Sequence, residues 1–170
     1  MKAILICLLT FMTVAACSQE DKSKRPSPPA LAKETLESGA AISIDYSQPA
    51  VKGRTVGKDL EPMEGKVWRT GANEATVFEA DKNVKVEGKE LPAGKYSLFT
   101  IMNGDEWTII FNKTWKQWGA FDYKEADDAL RVKVKAEKAK KFAERMSFII
   151  EKDGDVLLTW ADKQVEFKVK

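Results

Sequence analysis

The chain has 170 residues, 28 of them lysine or arginine and 26 aspartate or glutamate, for a formal charge of +2 without a single histidine. So balanced a charge argues against nucleic acid as a partner. The missing imidazole excludes Ser-His-Asp and Cys-His nucleophile systems and the usual histidine zinc sites.

Met1-Lys2 precedes an apolar run from Ala3 to Phe11, followed by Val14-Ala15-Ala16-Cys17. A positive start, a short hydrophobic segment and small residues before a cut site describe a secretory leader. The run is too short to cross a bilayer. Val14 to Cys17 resembles the lipobox of bacterial lipoproteins, which implies removal of residues 1–16 and lipidation of Cys17 by a diacylglycerol and an N-acyl chain. Each buried methylene contributes about 0.8 kcal/mol, so three acyl chains hold a domain on a membrane with no spanning helix. Cys7 leaves with the leader and Cys17 is modified, so no disulfide is available. The 154 residues that remain suffice for one domain stabilised by its core.

Residues 17–40 read as a lipidated N-terminus and tether. Ser18 to Pro29 is polar and proline-rich, ending Arg25-Pro26-Ser27-Pro28-Pro29, a composition that buries no core. Ser18-Gln19-Glu20-Asp21 resembles the acidic export signal of surface lipoproteins in Bacteroidetes. Its implication is an outer-membrane lipid anchor, with the domain facing the periplasm or the cell surface. Ala30 to Glu37 has the makings of a helical turn or two, stopped by Gly39.

From residue 41 to 170 the hydrophobic period is two. Ile42, Ile44 and Tyr46 alternate with polar residues up to Pro49, and Val77, Val84 and Val86 mark further strands. Leu91-Pro92-Ala93-Gly94 has type I turn chemistry. Asn103-Gly104 centres a hairpin joining Tyr96–Met102 to Asp105–Phe111, as a type I′ turn prefers. Residues 112–128 break the alternation and carry Trp115, Trp118, Phe121 and Tyr123, and connections of that length are often functional. Ala136 to Glu144 has helical propensity but no apolar stripe, and reads as a solvated connection with one short helix as the alternative. Strands around Phe148, Leu158 and Phe167 follow, separated by turns at Asp153-Gly154 and Asp162-Lys163. Many short strands without βαβ spacing predict an all-β domain, an antiparallel sandwich of jelly-roll type, with a closed barrel as the alternative.

Ile44-Asp45-Tyr46-Ser47-Gln48-Pro49, Lys66 to Thr76, Leu91 to Ile101, Glu106 to Asn112 and Gln117-Trp118-Gly119-Ala120-Phe121 together resemble the domain of unknown function 2911 family. The resemblance runs from about Ile42 to the C-terminus. It implies a secreted protein or lipoprotein of Bacteroidetes type and carries no assigned activity.

The candidate binding residues are Trp68, Arg69, Asn73, Glu74, Trp115 and Trp118. Arg69 would fork onto a carboxylate or a sugar hydroxyl, with Asn73 and Glu74 beside the Trp68 ring. The competing reading makes Trp68 a core residue and pairs Arg69 with Glu74 across a turn at Gly71. Trp115 and Trp118 would stack on sugar rings or else pin the long loop to the sheet, with Trp115 the more exposed of the two. Among the carboxylates, Glu74, Glu106, Asp122 and Glu125 lie nearest these stretches, but no spacing marks a glycosidase pair. Glu125, Asp127 and Asp128 lack the pattern of a calcium loop, and no phosphate-cradling glycine motif occurs. No catalytic residue, metal or cofactor is assigned. These features favour a membrane-anchored, non-catalytic module that binds a small molecule, a glycan or an envelope protein. The alternatives are a carboxylate-dependent hydrolase and a purely structural envelope protein.

Overall fold

The computed structural model describes residues 21–170, so the leader and Cys17 lie outside the described residues. Ten strands follow in order: β1 (Pro29–Thr35), β2 (Ala41–Ser47), β3 (Val67–Trp68), β4 (Thr76–Ala80), β5 (Val84–Val86), β6 (Lys89–Leu91), β7 (Gly94–Asn103), β8 (Glu106–Asn112), β9 (Asp128–Ile150) and β10 (Asp155–Lys168). Eight of them form one antiparallel sheet in the order β1-β2-β4-β7-β8-β9-β10, with β3 sharing the edge of β7 beside β4, while β5 and β6 pair separately. The domain is all-β and sandwich-like.

Alternation decides which face is inside. Ile42, Ile44 and Tyr46 of β2 are buried together with Phe78 of β4, Leu98 of β7, and Trp107, Ile109 and Phe111 of β8. Phe111 is met edge-on by Phe78 at 5.0 Å and by Phe167 at 6.2 Å between centroids, the offset geometry that aromatic quadrupoles favour. The sheet curls because β9 is long enough to serve both ends. Its first residues pair with β8, while further along Val51 N–H donates to Glu144 O (2.8 Å) and Met146 N–H to Pro49 O (3.1 Å), just beyond β2.

Four local expectations are corrected. Residues 29–35 are strand β1, in register with β2, not helical turns. Their short exposed/half-buried alternation is an edge-strand signal, and the partner strand supplies the main-chain bonds that decide it. Residues 136–144 likewise belong to β9. β10 pairs along them with register shifts around Ala161, so inward positions such as Ala136, Ala139 and Met146 fall at irregular spacings. The expected turn at Asp162-Lys163 is that bulge, since Ala161 takes φ +54° and the strand continues. In the β7–β8 hairpin, Asn103 pairs with Glu106, so the two-residue loop is Gly104-Asp105, one position later than Asn103-Gly104.

The outer face of β7 and β8 carries a second, small core of Ala75, Phe99 and Ile110, covered by Ala120 and Tyr123 of the connection between β8 and β9. Phe99 and Tyr123 meet edge-on at 5.1 Å. This satellite core positions the site.

Candidate functional site

The connection from residue 113 to 124 is held at its base by Asn112, which is fully buried at the end of β8. Its amide donates to Lys124 O (3.0 Å) and Asp128 Oδ1 (2.8 Å), and its Oδ1 accepts from Thr114 N–H (3.0 Å). Asp128 Oδ2 in turn accepts from Tyr123 O–H (2.8 Å) and Arg131 Nε (2.6 Å). Burial, reinforced by the hydrogen bond to Asp128, pushes the Tyr123 phenol up to about 12. A long loop is thereby fixed without regular structure, because the buried Asn112 and Asp128 side chains at its root are hydrogen-bonded to both of its ends.

The far side of the loop is hydrogen-bonded to the Trp68–Glu74 stretch. Ala75 N–H donates to Gln117 O and Gly119 N–H to Asn73 O, both at 3.1 Å, and Glu74 bridges Trp118 in strand fashion. Two stretches that stood 40 residues apart as separate candidates therefore form one surface.

They do not all converge on one cavity. Glu74, Trp115 and Trp118 line a cleft of about 410 Å³ together with Lys22, Asp45 and Gln117. Trp68 and Arg69 line a separate hollow of about 260 Å³ beside Arg54 and Trp160. Asn73 lines neither, and its amide donates to Ser27 O at 3.1 Å.

Trp68 is a core residue whose indole N–H donates to Gly71 O (3.1 Å). The anticipated Arg69–Glu74 pair is corrected. Arg69 Nη1 reaches Asn73 O at 3.4 Å, and its buried Nε has no hydrogen-bond partner among the described residues. Glu74 instead takes Lys22 Nζ at 2.9 Å and Arg25 Nη1 at 2.9 Å. The turn between them uses positive φ at Thr70 (51°) and Asn73 (61°), not at Gly71. That geometry points the Glu74 side chain away from Arg69 and towards the N-terminal segment.

Charge in the cleft is uneven. Burial alone would raise Glu74, but hydrogen bonds from Lys22, its own backbone and Arg25 outweigh that effect and hold it at about 2. Asp45 goes the other way. It projects from β2 into the cleft, where partial desolvation raises it, the Glu74 charge adds to the rise, and Lys22 and Lys95 oppose it. Lys95 Nζ lies 5.3 Å from the Trp115 ring centroid, a cation–π contact. Trp118 is 52% exposed and Trp115 42%, so the exposure order is the reverse of the one expected. Trp118 turns outward because its backbone, not its ring, makes the close approach to Glu74.

Glu106 and Glu125 are engaged elsewhere, and Asp122 is exposed on the loop. Glu106 pairs with Lys133 (2.7 Å) and Glu125 with Arg131 (3.2 Å). Among the described residues no group of three or more histidine, cysteine, aspartate or glutamate side chains is placed to hold a metal. Sequence reasoning missed Asp45, Lys22 and Gln117. The outward phase of Asp45 between Ile44 and Tyr46 was readable, but the placement of β2 beside β4, which brings it to Glu74, was not.

The fold and the site together define a sandwich-like β domain with an open, aromatic and acid-lined cleft on its outer face. The chain belongs to the family described as protein of unknown function, DUF2911, whose model matches residues 27–169. That match takes in β1 as well as the strands that carry the quoted motifs. No curated protein and no solved structure matches the chain.

Proposed function

We propose that this protein is an envelope lipoprotein, anchored to the outer membrane through Cys17, whose domain is a non-catalytic binding module. Its cleft takes a polyhydroxylated ligand, a glycan unit or a small molecule of that chemistry. One observation carries the reading: two exposed indoles and three hydrogen-bonding side chains, those of Asp45, Glu74 and Gln117, line the same open cleft. Flat aromatic faces stack against the apolar faces of sugars, and carboxylates and amides hydrogen-bond their hydroxyls. Among the described residues Gln117 Oε1 is buried without a hydrogen-bond partner while its amide donates to Thr114 O, which leaves an acceptor beside the cleft.

The test is a calorimetric screen of the purified protein against envelope oligosaccharides. A binder should lose about tenfold in affinity, about 1.4 kcal/mol, on Trp118→Ala. The melting temperature of that variant should stay unchanged, because the ring is largely in solvent. A screen without binders, or a loss of stability in place of affinity, would end this reading.

A second reading, a carboxylate-dependent hydrolase, has one observation in its favour. Asp45 and Glu74 share the cleft with their acidities displaced in opposite directions, as acid/base pairs often are. Against it, both oxygens of Glu74 are already taken by Arg25. Hydrolysis of any oligosaccharide that vanished in Asp45→Asn would favour the enzyme.

A further inference from the structure

We infer that the loop carrying Trp115, Trp118 and Phe121 rests on the lipid surface to which the chain is anchored. This inference rests on the lipid-anchor part of the proposed function and concerns the protein with no ligand in the cleft.

The first observation is how little slack the N-terminal segment has. The composition of residues 18–29 predicts a loose tether, yet Asp21 caps a 3-10 turn at Lys22–Lys24, and Lys22 and Arg25 are both held by Glu74. Further on, Gln48 N–H donates to Pro28 O at 2.9 Å. Five residue steps separate Cys17 from Lys22. At an upper limit of about 3.6 Å per step, the Lys22 backbone lies within about 18 Å of the lipidated residue. Lys22 lines the same cleft as Trp115 and Trp118. The anchor and the aromatic loop therefore belong to one end of the domain.

The second observation is what that end exposes. Six large hydrophobic side chains are exposed among the described residues, and three of them, Trp115, Trp118 and Phe121, fall within seven consecutive positions. Phe121 is the most exposed at 82%. Clustered exposed apolar side chains mark an interaction surface, whereas scattered ones do not. Indole and phenyl rings flanked by ammonium groups suit the boundary between headgroups and hydrocarbon. Exposed Lys113 and Lys116, on the loop itself, supply those groups and are drawn to anionic headgroups. Exposed Asp122, next to Phe121, keeps the loop at headgroup depth. In this orientation the mouth of the cleft lies beside the bilayer, where it would meet ligands carried on the membrane.

The tryptophans themselves provide the assay. The chain has five, of which Trp68, Trp107 and Trp160 are buried and only Trp115 and Trp118 are exposed. The lipidated protein is reconstituted into phosphatidylethanolamine–phosphatidylglycerol vesicles, with plain acyl chains or with chains brominated near the headgroup. Brominated lipid should quench up to about two-fifths of the emission, two tryptophans of five. The double variant W115F/W118F should abolish that quenching, and Phe121→Ser should at least halve it while the protein still floats with the vesicles. Flotation with equal emission in both lipids overturns the docking and leaves the anchor standing. Quenching that survives in W115F/W118F overturns it as well. Emission that responds to an envelope protein fraction freed of oligosaccharide, but not to brominated lipid, assigns the face to a protein and overturns the lipid proposal. Failure to float refutes the anchor and the docking together, and leaves the oligosaccharide screen as the separate test of the cleft.

Discussion

Replacing Glu74 with glutamine tests the link between the N-terminal segment and the body of the domain. In the folded protein Glu74 titrates at about 2, against an ordinary value of 4.5. Taken at face value, that depression corresponds to about 3 kcal/mol. The Glu74 side chain is 39% exposed, however, and exposed ion pairs are heavily screened. A contribution of about 1 kcal/mol is the figure to test. The folded value lies below the unfolded one, so the stabilisation is complete above about pH 5 and is lost as the pH falls towards 2. Glu74→Gln should therefore lower the melting temperature by about 2–4 °C at pH 7 and by progressively less towards pH 2, where the two proteins converge. The same change should release the 3-10 turn, so that trypsin cuts after Lys22 and Lys24 sooner than in the parent protein. Equal melting temperatures at pH 7 together with unchanged cleavage at these lysines would show that Glu74 does not hold the segment.

Two further outcomes follow from the core. Trp107 and Trp160 are equally buried, but Trp160 Nε1 donates to Glu61 O at 2.7 Å while Trp107 Nε1 has no hydrogen-bond partner among the described residues. Trp160→Phe should therefore cost about 1 kcal/mol more than Trp107→Phe in urea unfolding, and equal costs would refute the assignment of that bond. Gly154 closes the β9–β10 hairpin at φ +96°, and a Cβ there would lie 1.9 Å from Val169 O. Since only backbone movement relieves that clash, Gly154→Ala should cost about 3 kcal/mol or more. A loss under about 1 kcal/mol would mean that the C-terminal strand is not clamped there.

What could be read along the chain was whatever depends on neighbours in sequence. The period of two in Ile42-Ile44-Tyr46 and in Trp107-Ile109-Phe111 specifies strands with one buried face, because successive side chains on an extended backbone point in opposite directions. Turn residues at Asp153-Gly154 and the hairpin near Gly104 follow from local backbone sterics, and the family resemblance rests on contiguous motifs. The stretches that misled were those where partners distant in sequence decide. Residues 136–144 have helical propensity on their own and become strand only because β10 offers a ladder, and residues 29–35 do so because β2 does. The pairing of charges behaved the same way. Nothing near Arg69 or Glu74 in sequence reveals that Glu74 is claimed by Lys22 and Arg25, some fifty positions earlier. Nor does any local pattern bring Asp45 beside Trp115 and Trp118, since that needs the strand order β2-β4-β7-β8 and the loop folded back over it. The sequence alone thus determined the all-β class, the aromatic loop and the family. The cleft, its charge and its position next to the N-terminal segment were decided by tertiary structure, because ion pairing and desolvation depend on distances in space that a linear chain does not carry.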